Sequence, residues 1–399
     1  MQEVLIMIRA TDKRSIVFIG TSLPRICGLA TFSQDLIREF AHIPDFNPPR
    51  VVAVNDHHKR YVYAKSVMAQ IDQQVRQDYG LAAEKINYAS TDLVIIQHEF
   101  GIYGGASGEY ILDLVEALTV PFIVILHTVL KTPTAKQQQI VHQLSQLSVQ
   151  TVTMAHNTVT DLITIYQLDA QKISVIPHGV PSVLTETREV LKRQQGFKDS
   201  QVVSTFGFLS PGKGIEYGIQ AMAKVVHRHP DAHYLVLGET HPVVQEEHGE
   251  AYRRKLIRLV SALGLEKHVT FVNKLLTQQE IVESLVTSDL CLTPYLGQDQ
   301  AVSGTLAFDI GYGRAVVSTP YRYATEMLAE GRGRLSAFQD ADALATNIDD
   351  LLTHTQVKST MEAKASALGR TMRWSEIALT YAALFRSHFL PNRYQGKVL

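Results

Sequence analysis

The feature that most constrains this chain is an alternation that runs twice. Short apolar runs rich in Val and Ile alternate with longer segments of helical period, and after a break the pattern starts again. Runs of that length, apolar throughout, read as parallel strands buried on both faces, with the helical segments as crossovers. In the first half the predicted strands are 15–19, 50–54, 93–97, 122–126, 150–154 and 173–176, with helices near 30–41, 106–118, 135–147 and 157–166. The second half offers strands 202–206, 233–237, 269–272, 290–293 and 315–318, with helices near 215–227, 247–263, 279–286 and 305–312. Pro177, His178, Gly179, Val180 and Pro181 interrupt the series, and the polar stretch 185–200 that follows reads as a linker.

The expected fold class is therefore α/β: two doubly wound, Rossmann-like domains facing across a cleft, each offering it the loops at the carboxyl ends of its strands. The expected boundaries are 1–180 for the N-terminal domain, 181–200 for the linker, 201–373 for the C-terminal domain and 374–399 for a terminal helix and tail. That helix carries Ile377, Ala378, Tyr381, Leu384 and Phe385 on one stripe. Its periodicity leaves open whether it packs on its own domain or crosses back over the hinge.

A chain of 399 residues suits two domains of this size. With 38 basic and 39 acidic residues, its net charge of −1 gives no footprint for nucleic acid. The same neutrality argues against strong attraction to anionic lipid and leaves weak membrane association open. No apolar run approaches the ~18 residues of a membrane span. Residues 1–7 lack the long apolar region and cleavage site of a signal peptide and read as a simple extension. Cys27 and Cys291 stand too far apart for a metal or redox spacing, so a reducing cytoplasm is the expected location. None of the 16 histidines sits in an HExxH pattern, and no metal is expected. Asp340 and Asp342 form a DxD triplet, but it directly precedes the helical pattern 343–352 and reads as a helix start.

Four places could carry chemistry. In 205–216, TFGFLSPGKGIE, a strand ends at Gly207 and a turn with Gly212 and Gly214 opens a helix, whose free N–H groups would attract an anion beside Lys213. The spacing is neither a Walker A loop nor GxGxxG, so a glycine-rich turn with a solvated lysine is the alternative. In 300–313, Ser303, Gly304 and Thr305 precede an apolar helix, giving a second possible anion site or an ordinary N-cap. The loop 20–28 holds Arg25, Cys27 and Gly28 ahead of a helix. Finally, Gln97, His98 and Glu99 end one strand and His127 and Thr128 another, which suggests a polar, sugar-sized pocket. His127 is either a group that binds a substrate hydroxyl or a satisfied histidine at a sheet end. His98 and Glu99 face opposite ways in an extended chain, so one of the two is expected to be structural.

The ordered segments ICGLATFSQDL (26–36), LVIIQHEFGIYGG (93–105), ILHTVL (125–130), KISVIPHGV (172–180), GFLSPGKGIE (207–216), GRAVVST (313–319) and ATEMLAEGRGRL (324–335), followed by QDADALA, resemble the family 4 retaining glycosyltransferases of the GT-B fold, the glycosyl transferases group 1. The likeness runs from about Ser15 to Phe389. It implies transfer of a hexose, glucose or mannose, from a nucleotide-sugar donor held mainly by the C-terminal domain to a sugar or glycoconjugate hydroxyl presented mainly by the N-terminal one. Where the family has an Arg and a Lys on the donor diphosphate, this chain has Phe208 and Lys213. Where the family has two Glu eight positions apart, alignment on Gly313 gives Gln300 and Phe308, and a one-residue gap makes Asp309 the second acid. Losing one charged contact to a diphosphate costs about 1.5–3 kcal/mol.

The resemblance implies catalytic roles for His127, on a sugar hydroxyl, and Lys213, on the leaving phosphate. Donor binding falls to Gly28, Gly212, Gly214, Gln300, Ser303, Gly304, Thr305 and Glu326, and the acceptor or sugar pocket to Arg25, Gln97, His98 and Glu99. No enzymic nucleophile, cofactor or metal is implied; the nucleotide sugar is a substrate. A reduced anion site would also suit a phosphate-dependent phosphorylase of the same fold, or a carbohydrate- or nucleotide-binding protein without turnover.

Overall fold

In the computed structural model, residues 13–389 are described; the extension read at 1–7 and the last ten residues of the tail lie outside them. The described chain divides into two compact units, 13–177 with 374–389, and 178–373.

In the first unit seven strands form one parallel sheet: β1 Ile16–Gly20, β2 Arg50–Asn55, β3 Val67–Asp72, β4 Leu93–His98, β5 Phe122–Leu126, β6 Gln150–Thr153 and β7 Ile173–Val175, in the order β3-β2-β1-β4-β5-β6-β7. Every residue of β1, β4 and β5 is buried, because helices cover both faces of the sheet centre. The second unit repeats the scheme with β8 Gln201–Phe206, β9 Ala232–Leu237, β10 Val269–Val272, β11 Leu290–Thr293, β12 Val316–Ser318 and β13 Gly333–Leu335, in the order β10-β9-β8-β11-β12-β13. In each sheet the order reverses beside the first strand, at β1/β4 and at β8/β11, where doubly wound sheets open a crevice.

The structure departs from the sequence expectations at edges and joints. β3 and β13 were not expected; each is an outermost strand with one partner, partly exposed, and so lacks the apolar run that marks a central strand. The helix expected from 106 starts at Ile111, since the glycine-rich 104–108 is spent on turns. The helix expected over 247–263 is two, Pro242–His248 and Ala251–Ala262, separated at Gly249. Within the stretch read as a linker, Arg188–Gln194 is a helix capped by Thr187. It is pinned by Asp289, a buried carboxylate that Lys192 reaches at 2.5 Å, Lys358 at 3.4 Å and Arg188 at 3.8 Å, while the Val202 N–H donates to it at 2.7 Å. Those cations hold the Asp289 pKa below the ordinary value despite its burial.

The terminal helix, Trp374–Ser387, belongs to the first unit and packs on helix Gly28–Phe40. Phe385 stacks on Phe40 at 5.2 Å, Tyr381 and Phe385 are fully buried, and Arg386 grips Asp45 with two hydrogen bonds of 2.7 and 2.9 Å. Among the described residues no helix is long and apolar enough to cross a membrane.

Two stability tests follow. Phe385→Ala leaves a cavity against Phe40, so urea unfolding should show a loss of about 3–5 kcal/mol. Asp289→Ala strands two lysine charges in a buried site and should cost a similar amount, about 3–5 kcal/mol, whereas Asp342→Ala, on the exposed surface, should leave the midpoint nearly unchanged.

Candidate functional site

In the second unit the polar groups gather where β8 and β11 end. After β8, the turn Pro211–Lys213 closes on Gly214, whose left-handed backbone (φ 59°) caps helix Ile215–Val225. A Cβ at Gly214 would lie 2.2 Å from the Pro294 carbonyl oxygen, so only glycine fits. The Leu296 N–H donates to the Gly212 carbonyl at 2.9 Å, which ties this turn to the loop after β11. That loop leads to Ser303, whose hydroxyl accepts from the Leu306 N–H at 3.2 Å and caps helix Gly304–Gly311. A Cβ at Gly212 would meet nothing within 4 Å, and Thr305 Oγ1 lies 3.3 Å from the Cβ position of Gly207. Two helix starts thus come together; at the first, the N–H groups of Lys213, Gly214 and Ile215 are already donated to the Ser210 and Pro211 carbonyls and the Tyr252 hydroxyl, while the second keeps the orphan N–H groups of its first turn at Gly304 and Thr305.

Lys213 lies between them. Its Nζ sits 3.9 Å from the centre of the Tyr295 ring, and among the described residues no carboxylate reaches ion-pairing distance of it. Enclosure lowers its pKa to about 8, partly offset by Asp309. Tyr295 is itself buried and stacked on Tyr321 at 5.2 Å. Asp309 lies beneath the site rather than in it: its carboxyl is buried near Cys291 and Arg314, and burial raises its pKa to about 7. Phe308 packs on Phe206 at 6.0 Å and near His178 at 6.5 Å. The Gln300 amide folds back on the Val302 carbonyl at 3.0 Å. Glu326 lies on helix Arg322–Met327, whose first N–H groups bond the carbonyls of Gln298 and Gln300.

Beside the turn, at the carboxyl ends of β8 to β10, an apolar recess of about 110 Å³ is walled by Phe206, Phe208, Leu275 and Ile281, with Glu239 and Lys274 at its margin. Phe208, which stands where the resemblance leads one to expect Arg, gives this recess an aromatic wall. Its floor needs Gly238, since a Cβ there would lie 2.3 Å from the Gly207 carbonyl oxygen.

In the first unit the ends of β4 and β5 form a second polar cluster. His127 Nε2 meets Gln97 Oε1 at 2.7 Å, and the His127 N–H donates to the His98 carbonyl at 3.0 Å. The His127 ring stands edge-on to Phe32 at 4.9 Å, and Phe32 stands edge-on to Trp374 at 4.9 Å, so the terminal helix props the histidine through one aromatic intermediary. Thr128 Oγ1 donates to Glu99, which also accepts from the Phe100 N–H at 3.0 Å; burial raises the Glu99 pKa. His98 turns wholly inward, stacked near Tyr103 at 6.2 Å, and burial lowers its pKa to about 4, which keeps the ring neutral. Gln97 is fully buried too, so of the four residues read as an acceptor pocket, Glu99 and Arg25 retain some exposure. Arg25 is held by Asp56 at 2.7 Å and by the Val54 carbonyl at 2.9 Å. Cys27 caps helix Gly28–Phe40 through its sulfur, and Gly28 is exposed, with open space where a Cβ would stand.

Sequence reasoning missed Tyr295, the aromatic base under Lys213, and His178, whose ring lies 3.4 Å from the Cβ position of Gly304. His178 sits in the PHGV segment that the resemblance had already marked. Asp340 caps its helix through the Ala343 N–H at 2.8 Å, as the DxD reading required.

Residues 200–354 match the model of the glycosyl transferases group 1. The match lies within the second unit and leaves the first unit outside it. Two curated relatives, the D-inositol 3-phosphate glycosyltransferases of Corynebacterium glutamicum and Corynebacterium efficiens, are 25% and 27% identical over 65% and 62% of this chain. The matches span 62% and 58% of the relatives' own length. Among solved structures, the fold is shared with Anabaena HepE in complex with UDP and glucose (TM-score 0.73, 18% identity, 94% of this chain and 100% of that one). It is shared also with a Thermosynechococcus elongatus sucrose-phosphate synthase (TM-score 0.76, 16% identity, 94% and 99%). The architecture of these neighbours is the GT-B one.

The perturbed lysine gives a test of its own. Lys213 is charged below about pH 8 and neutral above it, so an anion held at this turn should bind tightly at pH 7 and progressively more weakly as pH rises through 8. Calorimetric titration with sulfate between pH 7 and 10 should show that decline, and Lys213→Met should flatten it.

Proposed function

We propose that this protein is a retaining glycosyltransferase that moves a hexose from a nucleoside diphosphate donor to a hydroxyl of a sugar or glycoconjugate. The observation that carries the reading is the convergence of two helix starts on an enclosed lysine that, among the described residues, has no carboxylate at ion-pairing distance. Such a place suits a diphosphate: backbone N–H groups and one cation meet it. The adjoining apolar recess is of the scale of a nucleobase, and the UDP and glucose bound to the HepE structure support a uridine diphosphate hexose as donor.

In this reading the second unit holds the donor. Lys213 and the N–H groups of Gly212 and of Ser303 to Thr305 stabilise the charge that develops on the leaving phosphate, with Gly214 shaping the turn that carries Lys213. Gln300 and Glu326 border the donor sugar, while Gly28 lets backbone approach the diphosphate. His127, Glu99 and Arg25 hold sugar hydroxyls, with Gln97 fixing the His127 ring. The bond from the anomeric carbon to the phosphate oxygen breaks, and the acceptor oxygen bonds that carbon on the same face. The acceptor proton passes to the departing phosphate, and the configuration is retained. The charge stabilisation assigned to Lys213 and the helix starts makes a metal unnecessary for the transfer. Free Cys27 and Cys291 support a reducing compartment, and a cytoplasmic location is part of the proposal.

The test is a thermal-shift and calorimetric titration against UDP, GDP, ADP, their hexose conjugates and inorganic phosphate. A ligand at about 100 times its Kd adds about 2.7 kcal/mol of stability, so one nucleoside diphosphate should raise the Tm clearly. Lys213→Ala should weaken that ligand roughly 10- to 100-fold. His127→Ala should keep nucleotide binding and lose transfer. A response to phosphate or a sugar phosphate alone would replace the transferase with a phosphorylase.

A further inference from the structure

The loop after β2 and the end of β3 bring His57, His58 and Asp72 together in the first unit. One ring nitrogen from each histidine and one Asp72 oxygen lie within 4.8 Å of one another. This grouping has a backbone cause. Consecutive side chains normally diverge, but His58 adopts a left-handed conformation (φ 62°), and the two imidazole rings come to 3.5 Å between centres. Asp72 is oriented independently. The His58 N–H donates to Oδ2 at 3.3 Å and the Gln74 N–H to Oδ1 at 3.1 Å, while His57 Nδ1 meets Oδ1 at 2.7 Å. The carboxylate is thus fixed by backbone groups before any ligand arrives.

We propose that His57, His58 and Asp72 form a binding site for a divalent transition metal of the zinc class. Two imidazoles and a carboxylate are the donor set that zinc, cobalt and nickel take from proteins, with a fourth position left to water. Donors at ~2.0–2.1 Å from a tetrahedral ion stand about 3.3 Å apart. The His57–Asp72 pair opens slightly and the third donor moves inward to reach that spacing, a small adjustment for exposed side chains. The metal takes the place of the hydrogen between His57 Nδ1 and Asp72 Oδ1, so two of the ligands already point at one another.

The site has a structural consequence. Asp56, the neighbour of His57, holds Arg25 at 2.7 Å, and its carboxylate also accepts from the Tyr61 hydroxyl at 2.6 Å. A metal at 57, 58 and 72 clamps the 56–66 loop to the edge strand β3 and so fixes the partner that orients Arg25. Its role is to stiffen this loop rather than to take part in sugar transfer, and it does not depend on the function proposed above.

The experiment uses the untagged full-length protein, stripped with a chelator and titrated with Co²⁺ and then Zn²⁺. One equivalent of Co²⁺ should give the visible absorption of a low-coordinate site, and Zn²⁺ should displace it. His57→Gln and His58→Asn should each weaken binding tenfold or more; Asn is chosen at 58 because it tolerates a left-handed backbone. His354→Ala, at an exposed histidine paired with Asp350 elsewhere, should change nothing. Circular dichroism should show each variant folded. Absence of the cobalt band, or undiminished affinity in both site variants, overturns the proposal.

Discussion

A strand buried on both faces can carry almost no polar side chain along its length, because each would need a partner in a place water does not reach. β1, β4 and β5 obey that constraint completely until their last residues. The polar groups of this protein are consequently pushed to the carboxyl ends of its strands, and there they are dense: Gln97 and His98 at the end of β4 with Glu99 following, His127 and Thr128 after β5, the glycine turn after β8, and the Pro294 to Ser303 loop after β11. The same burial that stabilises each sheet decides where its chemistry is found.

What happens at those ends is governed by close approach of backbone to backbone. Gly214 against Pro294, and Gly238 against Gly207, are contacts that no side chain could enter, and the Leu296 to Gly212 hydrogen bond closes the first of them. The turn at 211–214 is therefore not a free loop. Its backbone is held in place by these contacts, which lowers the entropic cost of ordering it around any ligand. Lys213 is likewise laid over an immobile ring, since Tyr295 is stacked and buried beneath it.

The central strands and most of the large helices could be read from apolar periodicity, because the middle of a doubly wound sheet is where composition is least ambiguous. β3 and β13 escaped because an edge strand, half exposed, has the mixed composition of a loop. The helix Arg188–Gln194 looked like a linker because its order comes from Asp289, a residue almost a hundred positions later, and an ion pair of that range leaves no local trace. The site was legible to the same depth. Lys213 and Ser303 announced themselves by glycine and cap patterns, whereas Tyr295 did not, since nothing in a strand end followed by Pro-Tyr says that a lysine will lie on it. Nor did sequence distinguish His98 from His127. Both end strands in polar clusters, yet one ring turns into the core and the other stays partly exposed against Phe32.

The second unit is, topologically, a loop of the first. Val180, just inside its beginning, pairs with Arg373 at its end, and the Val180 N–H bonds the Met372 carbonyl at 2.7 Å, so its two junctions lie side by side. The first unit, by contrast, is written in two pieces, and its second piece is built on the helix Trp374–Ser387. Phe32 and Phe40 gain Trp374 and Phe385 as neighbours only when that helix arrives. During synthesis the order of completion is thus inverted: the inserted unit has all its residues first, while the first unit must wait, with an apolar helix face uncovered, until Trp374–Ser387 has been made.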